Sequence, residues 1–184
     1  MKFFKTKLKG LFVIEPELYE DNRGNFYRVF CQNELKHIGY NKAIVQINQS
    51  LNKKKGTIRG MHFQYPPMAE IKIIRVTAGS IFDVAIDLRS NSPTYLQWFS
   101  EILSTENKKM ICIPEGFAHG FQSLEDNTEI NYLHTEFYSS ELESAVRYDD
   151  PKFNIPWPLE LTEISERDKN HPLINGNFKG ISFL

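Results

Sequence analysis

Five histidines supply the side chains best suited to proton transfer near neutral pH, and two of them have unusual neighbours. His62 lies in the segment RGMHFQ, just before a predicted strand. His119 lies in IPEGFAHGF, where proline and glycine mark a tight corner. Because a single histidine in a loop is more often structural than functional, these two become candidates only if other reactive groups share their pocket.

A metal centre is the first chemistry to test. Jelly-roll proteins of the cupin type often bind a metal through an HxH pair, a carboxylate and a distant histidine. The corresponding stretch here is His62-Phe63-Gln64, in which glutamine is a poor ligand, and no glutamate stands where a third ligand is expected soon afterwards. A three-histidine site of His62, His119 and His134 remains an alternative that the spacing does not favour. We therefore expect a pocket that works without metal or another cofactor.

Proton transfer at carbon suits a metal-free pocket that combines histidine, lysine, tyrosine and aspartate. Removal of a proton beside a ketone creates an enolate, so the site needs a base on one face and a cation at the ketone oxygen. Inversion of the carbon also needs an acid on the opposite face. His62 can act as the base, Lys72 can stabilise the enolate and Tyr132 can act as the acid. An aspartate such as Asp168 can orient the imidazole, although spacing alone fixes none of these roles.

The elements that must position these residues are predicted to be short strands. In IFDVAIDL (81–88) large apolar side chains alternate with Asp83, Ala85 and Asp87, which is typical of a strand with two different faces. In a closed β-structure a polar inner face is costly unless it lines a cavity. Lys72, Asp83 and Asp87 are therefore candidates for such a lining, with a solvent-facing position as the alternative.

The fold class follows from the spacing of the turns. Turn-forming residues separate the strands at 77–80, 90–93 and 114–116. This spacing favours an antiparallel sandwich, and we expect an all-β jelly roll with short peripheral helices. Helical patterns are limited to CQNELKHIG, where Asn33 could cap and Gly39 could end a helix, and to SSELESAV.

Length and charge restrict the classes of protein to which the chain can belong. The chain has 184 residues, with 22 Lys and Arg against 23 Asp and Glu. We expect one domain over residues 1–184 and no overall field for nucleic acid or anionic membranes. The opening MKFFKTKLKG has no sustained apolar run, and Cys31 and Cys112 form no CxxC motif. These features predict a cytoplasmic protein with reduced thiols.

An ordered series of motifs runs from about Gly10 to Pro172 and covers nearly the whole chain. It comprises EDNRGNF (20–26), VQINQS (45–50), IRGMHFQ (58–64), IKIIRV (71–76), GSIFDVAIDLR (79–89), SPTYLQW (92–98), LSTENKKM (103–110), IPEGFAHGF (113–121), TEINY (128–132), RYDDP (147–151), IPWPL (155–159) and ISERD (164–168). The series resembles the dTDP-4-dehydrorhamnose 3,5-epimerase family, also called the RmlC-like epimerases. A chance match of this length is not credible.

The resemblance implies a jelly-roll homodimer whose N-terminal strands cross into the partner's sheet, acting on a nucleotide-sugar substrate. It implies that His62 is the catalytic base, Asp168 its partner, Tyr132 the acid and Lys72 the enolate-stabilising cation. It also implies a supporting role for Asp83 beside His119. For substrate binding it points to Arg23, Gln46, Asn48, Arg59, His119, Glu143 and Arg167, with Phe26, Phe137 and Tyr138 able to stack on the base.

The substrate implied by the family is dTDP-4-dehydro-6-deoxy-D-glucose, converted to dTDP-4-dehydro-L-rhamnose. Arg28 departs from the family pattern, because dTDP-using members commonly have a glutamate there that can accept from thymine. An arginine could instead serve cytosine or guanine, so a CDP- or GDP-linked sugar is an alternative. Leu133 and His134 also replace a lysine and a small residue, and Arg167 replaces a lysine.

Further alternatives concern the reaction. A 3-only epimerase and a heptose substrate fit the same residues. A non-catalytic binding module and a metal-dependent cupin belong to other classes, although the proposed base, aspartate, acid and lysine are all present together.

Overall fold

Antiparallel strands make up most of the regular structure in the computed structural model, which describes residues 1–183. In chain order the strands are β1 (Lys2–Lys5), β2 (Phe12–Glu15), β3 (Tyr19–Asp21), β4 (Gly24–Phe26), β5 (Gln46–Asn52), β6 (Ile58–Gln64), β7 (Lys72–Ala78), β8 (Ser80–Asp87), β9 (Trp98–Ser104), β10 (Met110–Ile113), β11 (Phe117–Ser123), β12 (Thr128–His134) and β13 (Glu143–Ala145). Two short helices accompany them: α1 (Gln32–Lys36) and α2 (Glu166–Lys169).

The strands form two large sheets and one small hairpin. The six-stranded sheet has the order β1-β2-β10-β7-β12-β5, and the five-stranded sheet has the order β13-β6-β11-β8-β9. Within residues 1–183, strands β3 and β4 pair only with each other, as a separate hairpin. The predicted all-β sandwich with short peripheral helices is therefore confirmed.

Side-chain alternation places a core on each face of the five-stranded sheet. Ile81 and Ala85 of β8 belong to the apolar cluster that also contains Ile74 and Ile130 of the six-stranded sheet. Val84, between them, belongs to a second cluster that includes residues of the C-terminal segment. The alternation predicted for residues 81–88 is confirmed, and Asp83 lies on the same face of the strand as Ile81 and Ala85.

A third cluster covers the other face of the six-stranded sheet. Ile73 of β7, Met110 of β10 and Leu133 of β12 pack there with Leu35 of α1. This helix is the one predicted in CQNELKHIG, but it begins earlier than expected. Its N-cap is Cys31, without a side-chain hydrogen bond, because Asn33 lies inside the helix.

The second predicted helix is wrong. The segment SSELESAV contains β13, whose residues Glu143, Ser144 and Ala145 pair with Gln64, Phe63 and His62 of β6. Although the residue pattern there favours a helix, the segment is extended, because its backbone hydrogen bonds are satisfied by pairing at the edge of the five-stranded sheet. Among residues 1–183, neither helix has the length or apolar character needed to cross a membrane.

Two strands of the five-stranded sheet approach each other unusually closely. A Cβ atom on Gly60 of β6 would lie 2.4 Å from the Cα of Gly120 in β11, and Gly60 has φ of +131°. The register between β6 and β11 shifts between His119 and Phe121. Only glycine meets both demands, and the close approach brings His62 and His119 opposite each other.

Candidate active site

A polar cavity of about 270 Å³ lies between the two large sheets. Arg59, His62 and His119 line it from the five-stranded sheet, and Lys72 and Tyr132 line it from the six-stranded sheet. A pocket with imidazoles on one wall and an ammonium and a phenol on the other can act on both faces of a bound ring.

His62 is held by a carboxylate from α2. Its Nε2 lies 2.8 Å from Asp168 Oδ1, and the other Asp168 oxygen accepts from the backbone N–H of Gly60 at 3.2 Å. Burial alone would raise the pKa of Asp168, but the hydrogen bonds from His62 and the Gly60 N–H and the charge of Arg167 outweigh burial, so the pKa is lowered. An ionised Asp168 can only accept, so the Nε2 of His62 carries a proton and Nδ1 is left to act as a base.

The position of Asp168 depends on the cap of α2. Ser165 Oγ accepts from the Asp168 N–H at 3.0 Å, which starts the helix and directs the carboxylate towards β6. The helix is absent from the sequence predictions. Its signal was a serine followed three residues later by an acidic residue, in Ser165-Glu166-Arg167-Asp168.

Arg167 links this pair to the edge strand β13. Its Nη1 donates to Glu143 Oε2 at 2.8 Å, and its Nη2 lies 3.4 Å from His62 Nε2. Since that nitrogen already donates to Asp168, the arginine acts on the pair mainly through its charge. Glu143 Oε2 also accepts from the hydroxyl of Tyr138 at 2.9 Å.

A second imidazole–carboxylate pair joins His119, which lines the cavity, to Asp83, which is fully buried and does not line it, contrary to expectation. His119 Nε2 and Asp83 Oδ2 are 2.8 Å apart, and both side chains are buried. The ring of His119 meets the ring of Tyr132 edge-on at 6.4 Å between centroids. Within residues 1–183, Asp83 Oδ1 is buried without a hydrogen-bond partner.

Tyr132 is a buried phenol from the six-stranded sheet. Its hydroxyl lies 2.9 Å from Ser50 Oγ of the neighbouring strand β5. Burial raises the pKa of Tyr132 to about 12, although the Ser50 hydrogen bond and the nearby Arg59 charge act in the opposite direction. The phenol therefore keeps its proton at neutral pH and can serve as an acid. Ser50 was absent from the sequence predictions, because only the pairing of β5 with β12 places it beside the hydroxyl of Tyr132.

Lys72 is largely buried and directed by two acceptors. Its Nζ lies 3.1 Å from Glu70 Oε1 and donates to the backbone oxygen of His62 at 3.3 Å. The other oxygen of Glu70 lies 2.7 Å from Nδ1 of His134. Lys72 thus lines the cavity as expected, but Glu70 was absent from the sequence predictions.

Asp87 does not line the cavity. Its carboxylate accepts from Arg89 Nη2 at 2.7 Å, Ser92 Oγ at 2.5 Å and Thr94 Oγ1 at 2.7 Å. The expectation for Asp87 was wrong because a local turn after β8 uses its carboxylate as a hydrogen-bond acceptor.

Known proteins with similar sequence decide the family. A protein of Methanothermobacter thermautotrophicus named dTDP-4-dehydrorhamnose 3,5-epimerase is 45% identical over 172 residues, which cover 92% of each chain. A sequence model of the family with that description matches residues 5–176. The chain belongs to the dTDP-4-dehydrorhamnose 3,5-epimerase family.

Solved structures of this epimerase family share the fold. The enzyme of Bacillus anthracis, solved with TDP and PPi bound, superposes with a TM-score of 0.91 at 39% identity and covers 94% of this chain and 99% of its own. The enzyme of Legionella pneumophila, solved with dTDP-4-keto-L-rhamnose, has a TM-score of 0.86 at 40% identity and covers 91% and 89% of the two chains. The predicted cupin-like jelly roll is confirmed.

Apart from His119, Glu143 and Arg167, the residues expected to bind substrate fall into two groups. Gln46, Asn48 and Arg59 lie at or beside the cavity, with Arg59 Nε donating to Asn52 Oδ1 at 2.8 Å. Gln46 Nε2 donates to Asn48 Oδ1 at 3.2 Å, and Gln46 Oε1 accepts from the N–H of Tyr138. Tyr138 and Phe137 are exposed at 56% and 57%, which leaves both rings free to stack.

The second group lies on or near the β3–β4 hairpin, outside the cavity of its own chain. Arg23 is 90% exposed and pairs with Asp21 at 2.6 Å, and the Phe26 ring is 74% exposed. Arg28 Nη1 donates to Glu34 Oε1 at 2.5 Å. None of these side chains lines the cavity described between the sheets.

The three histidines considered for a metal site have separate hydrogen-bond partners. His62, His119 and His134 each direct a ring nitrogen to a different carboxylate. Within the described part of the chain, no group of His, Cys, Asp and Glu side chains is arranged to hold a metal ion.

Proposed function

We propose that this chain is a nucleotide-sugar 3,5-epimerase that removes and replaces protons beside the C4 ketone. The substrate is dTDP-4-dehydro-6-deoxy-D-glucose and the product is dTDP-4-dehydro-L-rhamnose. One observation carries the proposal: His62 and Tyr132 enter one cavity from opposite sheets, and Lys72 lines the same cavity from the six-stranded sheet. Family membership and the ligands named for the Bacillus and Legionella enzymes support the substrate class.

The proposed reaction balances within the pocket. His62 takes the proton from C3, the C–H electron pair forms the C3–C4 double bond, and the carbonyl pair moves to oxygen. The ammonium of Lys72 stabilises this enolate oxygen. Tyr132 then donates its proton to the opposite face of C3, and the ketone re-forms. His62 is left protonated and Tyr132 ionised, so exchange with solvent restores both before the same steps invert C5.

This route predicts incorporation of solvent deuterium. In D2O, the wild-type protein should introduce one deuterium at each inverted carbon, because the returned proton comes from an exchangeable phenol. Mass spectrometry should find two for a 3,5-epimerase and one for a 3-only epimerase. We expect His62→Ala to lower the exchange rate by about 10²-fold or more while the protein stays folded.

Three other results would contradict the role of His62 or favour one of the alternative functions. A folded His62→Ala protein that exchanges as fast as wild type would overturn the role of His62. A wild-type protein that binds the nucleotide sugar but exchanges nothing would favour the binding module. Activity that follows the content of iron or another transition metal would favour a metal cupin.

The proposed nucleotide is thymidine diphosphate, although Arg28 left CDP and GDP as alternatives. Arg28 pairs with Glu34, which also holds the N-terminal amine of Met1 at 2.6 Å. An arginine engaged in this way is less available to read a base. We expect dTDP to raise the melting temperature more than CDP, GDP or UDP at equal concentration, since ligands that bind the native state stabilise it in proportion to affinity. A larger shift with GDP or CDP would contradict the thymidine assignment and make Arg28→Glu the next variant to test.

We propose that the active form is a homodimer with exchanged N-terminal strands. In this single chain β1 pairs with its own β2 at the edge of the six-stranded sheet. In the described part of the chain the β3–β4 hairpin pairs with no other strand, and it exposes Tyr19 and Phe26. Ile47 on the edge strand β5 is also exposed. A second copy would cover these apolar side chains, and Arg23, which does not line the cavity of its own chain, would reach the cavity of the partner.

A cytoplasmic location and a single domain over residues 1–184 belong to the same proposal. Cys31 and Cys112 are free thiols, which is usual for proteins of a reducing compartment.

A further inference from the structure

A buried carboxylate, Glu70, divides its two oxygens between two neighbours in the cavity wall. Oε1 lies 3.1 Å from Lys72 Nζ and Oε2 lies 2.7 Å from His134 Nδ1. All three side chains are about one-tenth exposed. A carboxylate bound at both oxygens cannot rotate freely, so its orientation determines where the ammonium of Lys72 lies.

His134 extends this series of hydrogen bonds to Asn48, one of the residues expected to bind substrate. Because an ionised carboxylate only accepts, Nδ1 of His134 carries a proton, and in the neutral ring Nε2 is then an acceptor. Asn48 Nδ2 lies 3.4 Å from this Nε2, and Asn48 Oδ1 accepts from Gln46 Nε2. Both contacts of Asn48 require the same amide orientation. The ring of His134 also stacks on that of Tyr132, with an interplanar angle of 19°.

We propose that Glu70 and His134 are positioning residues that together fix the ammonium of Lys72 and the amide of Asn48 for the reaction. The inference rests on the proposed epimerase function, in which Lys72 stabilises the enolate. Both residues line the cavity, but in this proposal neither exchanges a proton with the substrate. Lysine has a flexible stem and donors without a fixed direction, so a buried ammonium needs an anchored anion to hold one geometry.

The charge state of Glu70 supports this role. Burial would raise its pKa, but the charge of Lys72 and the hydrogen bond from His134 outweigh burial, so the pKa is lowered and the carboxylate is ionised at neutral pH. The other titratable or charged groups around the cavity are Arg59, His62, His119, Tyr132, Tyr138 and Glu143. Glu70 is therefore the carboxylate within ion-pair distance of Lys72 in the described part of the chain.

The first test removes the charge of Glu70 and keeps its shape. We expect Glu70→Gln to lower kcat for deuterium exchange about tenfold, the scale of one lost charge-assisted hydrogen bond, with a smaller change in KM. Glu101→Gln is the matched control, because Glu101 also pairs with a lysine, Lys109 at 3.0 Å, but lies outside the cavity. A kcat for Glu70→Gln equal to that of the control would overturn the proposal.

The second test uses His134 to separate positioning from packing. In His134→Asn, the side-chain nitrogen can occupy the place of Nδ1 and still donate to Glu70, whereas His134→Leu cannot. We expect His134→Leu to lower kcat about as far as Glu70→Gln, and His134→Asn to recover most of that loss while KM rises because Asn48 loses its partner. Equal kcat values for the two His134 variants would contradict the proposal that His134 positions Lys72 through Glu70.

A spectroscopic measurement keeps this inference separable from the proposed function. In protein labelled with ¹⁵N-lysine, the Lys72 ammonium resonance, assigned by its absence in Lys72→Met, should be visible in wild type and in Glu101→Gln. It should broaden or disappear in Glu70→Gln. If wild type fails to exchange deuterium, the proposed function fails, and this resonance still decides whether Glu70 anchors Lys72. An unchanged resonance in Glu70→Gln would overturn the anchoring.

Discussion

Three imidazole–carboxylate pairs surround the cavity, and their accessibility separates their roles. The side chain of His62 is 26% exposed beside a nearly buried Asp168. His119 and its partner Asp83 are 6% and 0% exposed. A base must reach substrate and exchange its proton with solvent, and His62 is the histidine of the three that combines an anchored ring with access. The buried pairs are better suited to holding their surroundings in place.

At the residue scale, the carboxylate of Asp168 should control activity more than stability. Asp168→Asn can retain the contact with Gly60, but its amide would donate to His62 Nε2 and force the proton onto Nδ1, where the base is needed. We expect kcat to fall about 10²- to 10⁴-fold, as for other bases held in the wrong tautomer. Steady-state kinetics and thermal unfolding would measure both effects.

Asp87→Asn is the matched control for this prediction. Asp87 is a buried carboxylate with several hydrogen bonds outside the cavity. We expect it to lower the melting temperature and leave kcat per folded molecule unchanged. The assignment would be contradicted if Asp168→Asn lost stability instead of kcat.

At the element scale, the close approach of β6 and β11 holds His62 and His119 opposite each other. Gly60→Ala would place a methyl group against Gly120 in addition to occupying an unfavourable φ. We expect the free energy of unfolding to fall by more than ~3 kcal/mol, which urea denaturation would measure.

Gly24→Ala isolates the backbone contribution to that loss. Gly24 has φ of +124°, close to that of Gly60, but a Cβ atom at this position would have no neighbouring atom within 4 Å. We expect a cost of about 1 kcal/mol there. Similar losses at the two glycines would show that backbone strain, and not the contact between strands, explains the requirement for glycine at position 60.

At the scale of the whole molecule, a dimer should contain sites built from two chains. Heterodimers of one Arg23→Ala chain and one His62→Ala chain test this. If Arg23 serves the partner's cavity, one of the two sites regains both residues, and about half of the wild-type activity should return. Differently tagged chains allow the heterodimer to be purified before its activity is measured. Activity no higher than that of the two parent homodimers would mean that Arg23 does not act in trans.

The sequence by itself determined the fold class, the family and the candidate catalytic residues His62, Lys72, Tyr132 and Asp168, which the structure brings together. Strand alternation is a local property with a period of two, so it can be recognised from residue order alone.

Only the tertiary structure decided which groups support the reactive residues. Ser50 of β5 meets Tyr132 of β12, and Glu70, just before β7, meets His134 of β12; the partners are separated by 82 and 64 positions in the chain. It also decided that SSELESAV becomes an edge strand and that Arg23 and Arg28 lie away from their own cavity. The physical reason is that register and sheet order, set by burial over the whole molecule, choose these partners, and no local pattern encodes them.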